Sequence, residues 1–515
     1  MPRFAIVFPA FLLAGSCLTA HAGPPATFVV TRFDDPTPNG CQVGDCSLRE
    51  AVTDADGQNL PQTVQLAAGT YTLTRTLVAQ HGISLVGAGA TSTRIVASAS
   101  LNPLLQLDES LPVLFEAFDL SLDARGGFEL KGKADSCIRL DRVALPNASS
   151  KVWISEAHGC STVVKNTQSN GSLVISGAVD AIVTDSRFAK LTVLQTNPDH
   201  ATVYGTTIKR VTVDGTGYTA SGVRIGSLGD VLLEDVTVRN TRYGLRFDED
   251  TPWLIMDRLH YLENSEPLEI TRNASARIRE SVFARNVALD GAGQPAALWV
   301  RGNDAVVHVE RSTFEGNTGT SLAGGAALVE NGSALILSQS TFSGNAFSVA
   351  TAASGPRGAA IGYRGAASQT ILRLIGVTLV APHAVAVGTR GTAIGGFGTW
   401  TEAQVRLYNS IIDGSCAPDI ELQYAEGSIS TGSNSCQFPA AFGNRTGATK
   451  AQLALSSLGD HGGPTRTFMP ATGSIAIDAG TYYGCYGSEE DQRGYARSTG
   501  SACDVGSVET GSVAP

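Results

Sequence analysis

The sequence predicts an all-β solenoid, a parallel β-helix, and three observations carry that reading. Four segments agree class by class when aligned on their last aromatic residue: VHVERSTFEGN (Val307 to Asn317), LILSQSTFSGN (Leu335 to Asn345), ARIRESVFARN (Ala276 to Asn286) and LIMDRLHYLEN (Leu254 to Asn264). Their register extends to the anchors Phe188, Ile208, Val238, Tyr261, Phe283, Phe314, Phe342, Leu379 and Ile412. Each anchor has an apolar residue five positions earlier: Val183, Val203, Leu233, Met256, Ile278, Val309, Leu337, Leu374 and Leu407. A second track, AALWV, AALVE, AAIGY and TAIGG, places Leu298, Leu328, Ile361 and Ile394 at spacings of 30, 33 and 33 residues.

Apolar positions alternate along each segment as in a strand with one buried face. One such unit cannot bury that face alone; stacked coils set like residues above like and make a continuous core. A leucine-rich solenoid needs an L-x-x-L-x-L framework and a propeller needs four strands per blade, and neither pattern occurs.

Taken in order, residues 1–22 read as a secretory signal peptide: Arg3, an apolar run from Phe4 to Leu18, and the small-x-small site Ala20-His21-Ala22. Cys17 departs from a lipoprotein box by one residue. Beyond this segment no apolar stretch is long enough to span a bilayer. Residues 23–60 form an N-terminal cap. Within them Ser47 and Glu50 make an S-x-x-E capping box, and Leu48, Ala51, Val52 and Ala55 share one helix face. A helix there covers the raw edge of the first coil, an edge that otherwise invites a foreign strand. The same helix start would activate Cys46 as a thiolate, but Cys41 lies five residues away in an oxidising compartment. Residues 61–430 are the β-helix and residues 431–515 a C-terminal cap.

Once the signal peptide is removed eight cysteines remain, an even number suited to disulfides. Their clustering suggests Cys41–Cys46, Cys137–Cys160, Cys416–Cys436 and Cys485–Cys503, one connectivity among many. A net charge of −10, with 16% charged residues, argues against nucleic acid as a partner.

The STFxGN and GGAA coils of residues 311–345 resemble the repeats of polymorphic outer-membrane proteins, and the whole resembles a pectin-lyase-like, right-handed parallel β-helix. CSLREAV (46–52), with VQLAAGTYTLT and ISLVGAGATSTRIV, resembles the N-terminal region of CSLREA-type bacterial β-helix proteins. GDHGGPTRTFMPATGSIAIDAG, DQRGYAR and CDVGSVE resemble a choice-of-anchor Q domain. The resemblance implies a monomeric protein that is secreted, periplasmic or displayed on the outer surface, with a polysaccharide or cell-surface glycan as partner. It implies that Asp478, Asp491, Arg493 and Asp504 are acidic turns closing the open end of the solenoid. That family often carries a sorting element after this domain, and VETGSVAP shows no apolar tail.

Chemistry on such a fold needs an arginine or lysine base for elimination, or paired carboxylates for hydrolysis. The densest charged patch, RYGLRFDEDTPW, offers Arg242, Arg246, Asp248, Glu249 and Asp250. Arg246 follows Gly244-Leu245 as Arg224 follows Gly222-Val223, 22 residues earlier, so the two arginines are expected to stack on one face. Arg224, Arg246 and Asp248 are the catalytic candidates; Arg242, Glu249 and Asp250 are binding candidates; an ion-pair patch is the competing reading. No polygalacturonase-type carboxylate set, G-x-S-x-G, H-E-x-x-H or P-loop occurs, and the histidines lack ligand spacing. No cofactor is called for; calcium is the ion that the acidic turns would admit, without a motif for it. Asn264, Asn286, Asn317 and Asn345 recur at one offset, as a sugar-binding ladder or as an asparagine stack in left-handed turns. These features favour a non-catalytic, adhesion-like binder, with a polysaccharide lyase or hydrolase and an inert spacer as alternatives.

Overall fold

The computed structural model describes residues 26–514 apart from 59–60, 99–100, 102, 108–113, 124–127, 132–135, 148–150, 156–159, 178–179, 196–204, 228, 249–252, 272, 290–292, 321–323, 348–357, 365–369, 382–392, 398–403, 417–421, 432–435, 437, 440, 483–484, 486–488 and 498–499. Its strands pair in parallel, each with the strand one coil on, as a β-helix requires. One coil shows the plan. Leu298–Arg301 forms one face and Val306–Glu310 the next; after a turn at Arg311, Thr313–Glu315 forms the third. The first of these belongs to an eleven-stranded sheet, the other two to a thirty-stranded sheet that bends at the turn.

Alternation along each strand fills the bore. Val307, Val309 and Phe314 point inward and are fully buried. Phe283, Phe314 and Phe342 stack face to face at 4.5 and 4.4 Å between ring centroids. The turns need left-handed backbone, and those between the two faces of the larger sheet carry an alternating series: Asp119, Arg142, Asn166, Asp185, Arg210, Asp235, Arg258, Glu280 and Arg311, all at φ near +50°. Ion pairs join Asp119 to Arg142, Asp185 to Arg210, Asp235 to Arg258 and Glu280 to Arg311.

The structure corrects the sequence register at two coils. Phe188 pairs with Val213, which pairs with Val238, so Val213 is the anchor of that coil. Ile208 instead continues the Val183–Leu233 column, and Val203 lies outside the described residues. Ile208 and Val213 are five residues apart and both apolar, so either satisfied the pattern. On the other face Leu298 pairs with Ala327, which leads on to Ile361 and Ile394; Leu328 pairs with Trp299 and points outward.

Helix α1 (Leu48–Asp56) carries the capping box: Ser47 Oγ accepts from the Glu50 amide, and Glu50 Oε2 accepts from the Ser47 amide at 2.8 Å. Leu48, Ala51, Val52 and Ala55 are buried against the first coils. The four cysteine pairs 41–46, 137–160, 416–436 and 485–503 are bonded, with Cα atoms 4.4, 5.2, 4.7 and 5.5 Å apart. At the far end Cys436 and Phe438 join the interior core, and Arg445–Ala448 pairs with Ile429–Thr431 as the last rung.

After helix α2 (Lys450–Leu453) the chain folds back along the outside of the solenoid, rather than only closing its end as the resemblance implied. Thr465 Oγ1 donates to Arg311 O at 3.1 Å, Arg466 pairs with Glu315 at 2.7 Å, and the Gly506 amide donates to Asn409 O at 2.8 Å. The reason lies in the outward column that this strap covers: Thr313, Thr341, Thr378, Ile411 and Ile429. Its hydroxyls take partners from the strap, and Ile411 and Ile429 bury against Leu453, Ala476 and Val505 as a second apolar core.

Candidate functional site

The stacked arginines come from strands Gly222–Gly226 and Leu245–Phe247 of the eleven-stranded sheet, where Arg224 and Arg246 are register partners on the outward face. Two glycines permit close approaches around these strands. At Gly244 a Cβ would collide with the Tyr261 hydroxyl and Glu266 O, and at Gly226 it would meet the Asp248 carboxylate at 2.6 Å. Asp248 therefore sits tight against the first strand and takes both Nε and Nη2 of Arg224, at 3.0 and 3.2 Å.

Arg246 is held from the following coil: Glu266 pairs with its Nη2, and Glu269 lies 4.0 Å from its Nε. Glu269 also pairs with Arg301. The sequence reading missed these glutamates because no motif links them to Arg246; only the next coil brings them alongside.

Arg224 and Arg246 line a cleft of about 310 Å³ together with Lys190, Thr192, Gly222 and Tyr243. Lys190 pairs in register with Gly222 and lines the cleft together with Arg224. Two coils earlier Lys151 lies over the Trp153 ring at 4.1 Å, and Trp153, itself in register with Glu129 one coil before, belongs to the outward column that continues through Val174 and Thr192 to Arg224. Arg242 approaches the Tyr243 ring at 5.6 Å. Among the described residues Lys151, Lys190 and Arg242 have no carboxylate at ion-pair distance. The wall is thus basic, with exposed aromatic rings at Trp153 and Tyr243. Glu249 and Asp250 lie outside the described residues, as do residues 1–22.

Chemically, the three carboxylates at the cleft are all occupied by arginines. A cationic face with aromatic edges can instead neutralise carboxylate or sulfate groups and pack against pyranose rings.

Two other candidate sets prove to be internal structure. Asn264, Asn286, Asn317 and Asn345 are all buried, and each Oδ1 of the last three accepts from the preceding asparagine's amide, at 2.9 to 3.1 Å. The left-handed residue in each turn is the one before, Glu263, Arg285, Gly316 or Gly344, so the asparagine is there for its amide and not for its backbone. Asp491 and Asp504 are buried as well. Asp491 takes Arg493 and the Glu509 amide, and Asp504 takes the Asp478 and Thr510 amides, so these acids knit the strap together. Among the described residues no three His, Cys, Asp or Glu side chains converge as a metal site would require, and no helix is long and apolar enough to cross a membrane.

No protein-family model matches the chain, and no curated protein does. Solved structures are similar to it, two of them as follows. The catalytic domain of a GH87 alpha-1,3-glucanase in complex with nigerose has 13% identity and a TM-score of 0.28, over 82% of this chain and 70% of its own. Pectate lyase Pel9A has 13% identity and a TM-score of 0.22, over 95% of this chain and 97% of its own.

Proposed function

We propose that this protein is exported and binds an acidic polysaccharide along the outer face of its eleven-stranded sheet, between Trp153 and Arg246. The observation that carries this reading is the basic floor, where among the described residues Lys190 faces the cleft without a carboxylate at ion-pair distance, between the aromatic edges of Trp153 and Tyr243. Sugar carboxylates would complete the ion pairs that the protein leaves open, and the rings would supply the apolar platform. Export is supported by the four cystines and by the signal-like start of the sequence. Membership of the CSLREA and choice-of-anchor Q group, with secreted, periplasmic or outer-surface placement, belongs to the same proposal.

Lys190 favours a second reading, a lyase in which an amine removes the proton α to a uronate carboxylate while Arg224 and Arg246 hold that carboxylate. One experiment separates the readings. Mature protein is incubated with polygalacturonate, alginate, hyaluronan and a neutral glucan, and both retention and chain shortening are followed. Binding predicts retention of an acidic polymer without shortening, weakened about tenfold or more in Arg246→Ala. Shortening that disappears in Lys190→Ala would establish the lyase. Neither retention nor shortening would leave the spacer reading.

A further inference from the structure

We infer that Arg373 and Arg406, with the rings of Tyr408, Tyr424 and Phe442, form a second site for a carboxylated or sulfated sugar. It shares no residue with the side-wall cleft. The two arginines project outward from strands Ile371–Ile375 and Gln404–Tyr408, which continue the face that Val306–Glu310 forms in its own coil.

Elsewhere on this face cations follow a simple rule. Arg139, Lys165, Lys209, Arg277 and Arg279 each pair with a carboxylate one coil away, at 2.7 to 3.4 Å. Arg373 and Arg406 break it. They are register partners on strands about 4.8 Å apart, both half-buried, and among the described residues neither has a hydrogen bond or an ion pair. The Nε of Arg373 is buried with no acceptor. Ile336 precedes Arg373 in register, and Ile371 and Ile375 flank it on its own strand. Of the described acids on nearby strands, Glu310 takes Arg277 and Glu426 takes the Tyr424 hydroxyl at 2.7 Å. Like charges held in register repel, and an oxyanion set between the two guanidinium groups accepts from both and removes that repulsion.

Aromatic rings continue this surface. Tyr408 ends the strand that carries Arg406, and Tyr424 is in register with Arg406 because the pairing shifts by one residue there. Ring centroids are 5.5 Å apart from Tyr408 to Tyr424 and again from Tyr424 to Phe442. Phe442 is 58% exposed, lies outside the apolar cores, and has φ +63°, a left-handed backbone that a bulky residue rarely adopts. Its turn is clamped: Asn444 Nδ2 donates to Ala425 O at 2.6 Å, Asn444 Oδ1 accepts from the Ser428 amide at 3.0 Å, and Phe442 O accepts from the Gly427 amide at 2.9 Å. An exposed phenyl on a strained turn does nothing for the core; what it can do is meet a ligand. A pyranose with its charge on one side uses both parts of the site, its apolar face on the rings and its oxyanion on the arginines. A bare anion leaves the rings idle, and a neutral sugar leaves the arginines unpaired.

The test uses mature full-length protein with tetragalacturonate, a chondroitin sulfate tetrasaccharide, maltotetraose and inorganic sulfate, reading affinity by calorimetry and stability by thermal melts. Arg246→Ala protein should still bind an acidic tetrasaccharide, the preferred one telling carboxylate from sulfate. Adding Arg406→Gln or Phe442→Gly should weaken that binding about tenfold or more. Arg406→Gln relieves repulsion and Phe442→Gly relieves backbone strain, so both should melt no lower than their parent. Loss of binding accompanied by a lower melting temperature would mark a structural role and overturn the site. Maltotetraose or inorganic sulfate binding as tightly as the acidic sugars would overturn it too. Binding that falls with Arg246→Ala and not with Arg406→Gln would overturn the second site and leave the side-wall reading standing. Absence of binding to every probe would overturn both.

Discussion

At Asn317 a single side-chain amide serves three coils. Its Oδ1 accepts from the amide and Nδ2 of Asn286, and its Nδ2 donates to Phe283 O and to Asn345 Oδ1. Asn317→Ala strands a buried amide and a buried carbonyl and should cost about 2–5 kcal/mol. Gly344→Ala, at φ +61° with nothing within 4 Å of the new Cβ, pays backbone strain alone, about 1–2 kcal/mol. Equal losses for the two in chemical denaturation would sink the ladder's role. Two acids carry a second prediction. Burial raises the affinity of Asp35 and Asp214 for a proton, but hydrogen bonds outweigh it and hold both at about 2, from Arg49 and Thr74 in one case and from Thr216 and Arg239 in the other. Because the folded values lie below the unfolded ones, their stabilisation is present above about pH 4 and is lost as pH falls toward 2, about 2 kcal/mol for each group. Denaturation midpoints across that window should drop, and Asp214→Asn should flatten the drop.

At the level of elements the strap hangs on one residue. Gln492 is buried; its Nε2 donates to Thr313 Oγ1 and Thr465 Oγ1 at 2.9 and 3.0 Å, with Ser312 O and Arg466 O nearby at 3.3 and 3.2 Å, while its Oε1 accepts from Thr341 Oγ1 at 2.6 Å. Gln492→Ala should loosen residues 456–512 before the coils melt, by about 2–4 kcal/mol, and hydrogen exchange should rise in that segment first. Uniform protection in this variant would contradict the account. The lateral path of the strap was not legible in the sequence because its partners lie as far as 180 residues away and no motif points to them. The strands were legible because alternation and coil spacing act locally. Their register slipped only where two positions were both apolar and either satisfied the pattern, Ile208 and Val213 five residues apart and Ala327 and Leu328 side by side. The floor was half legible: the G-V-R and G-L-R steps exposed the arginine stack, whereas Lys190 stands 32 residues before its register partner Gly222 and no motif links the two.

For the whole molecule, the turn series that alternates acid and base from Asp185 to Arg311 implies a rule of parity. Excising residues 186–210 removes one coil and sets Asp185 against Asp235; excising 186–235 removes two and sets Asp185 against Arg258. Like charges in register repel, and salt screens them. Added salt should therefore stabilise the one-coil excision and leave the two-coil excision unchanged or weaker, as thermal melts would show. The same rule bears on ancestry. A tandem duplication of a single coil meets a penalty that a duplication of two escapes, so a solenoid with this turn series lengthens most readily in even steps.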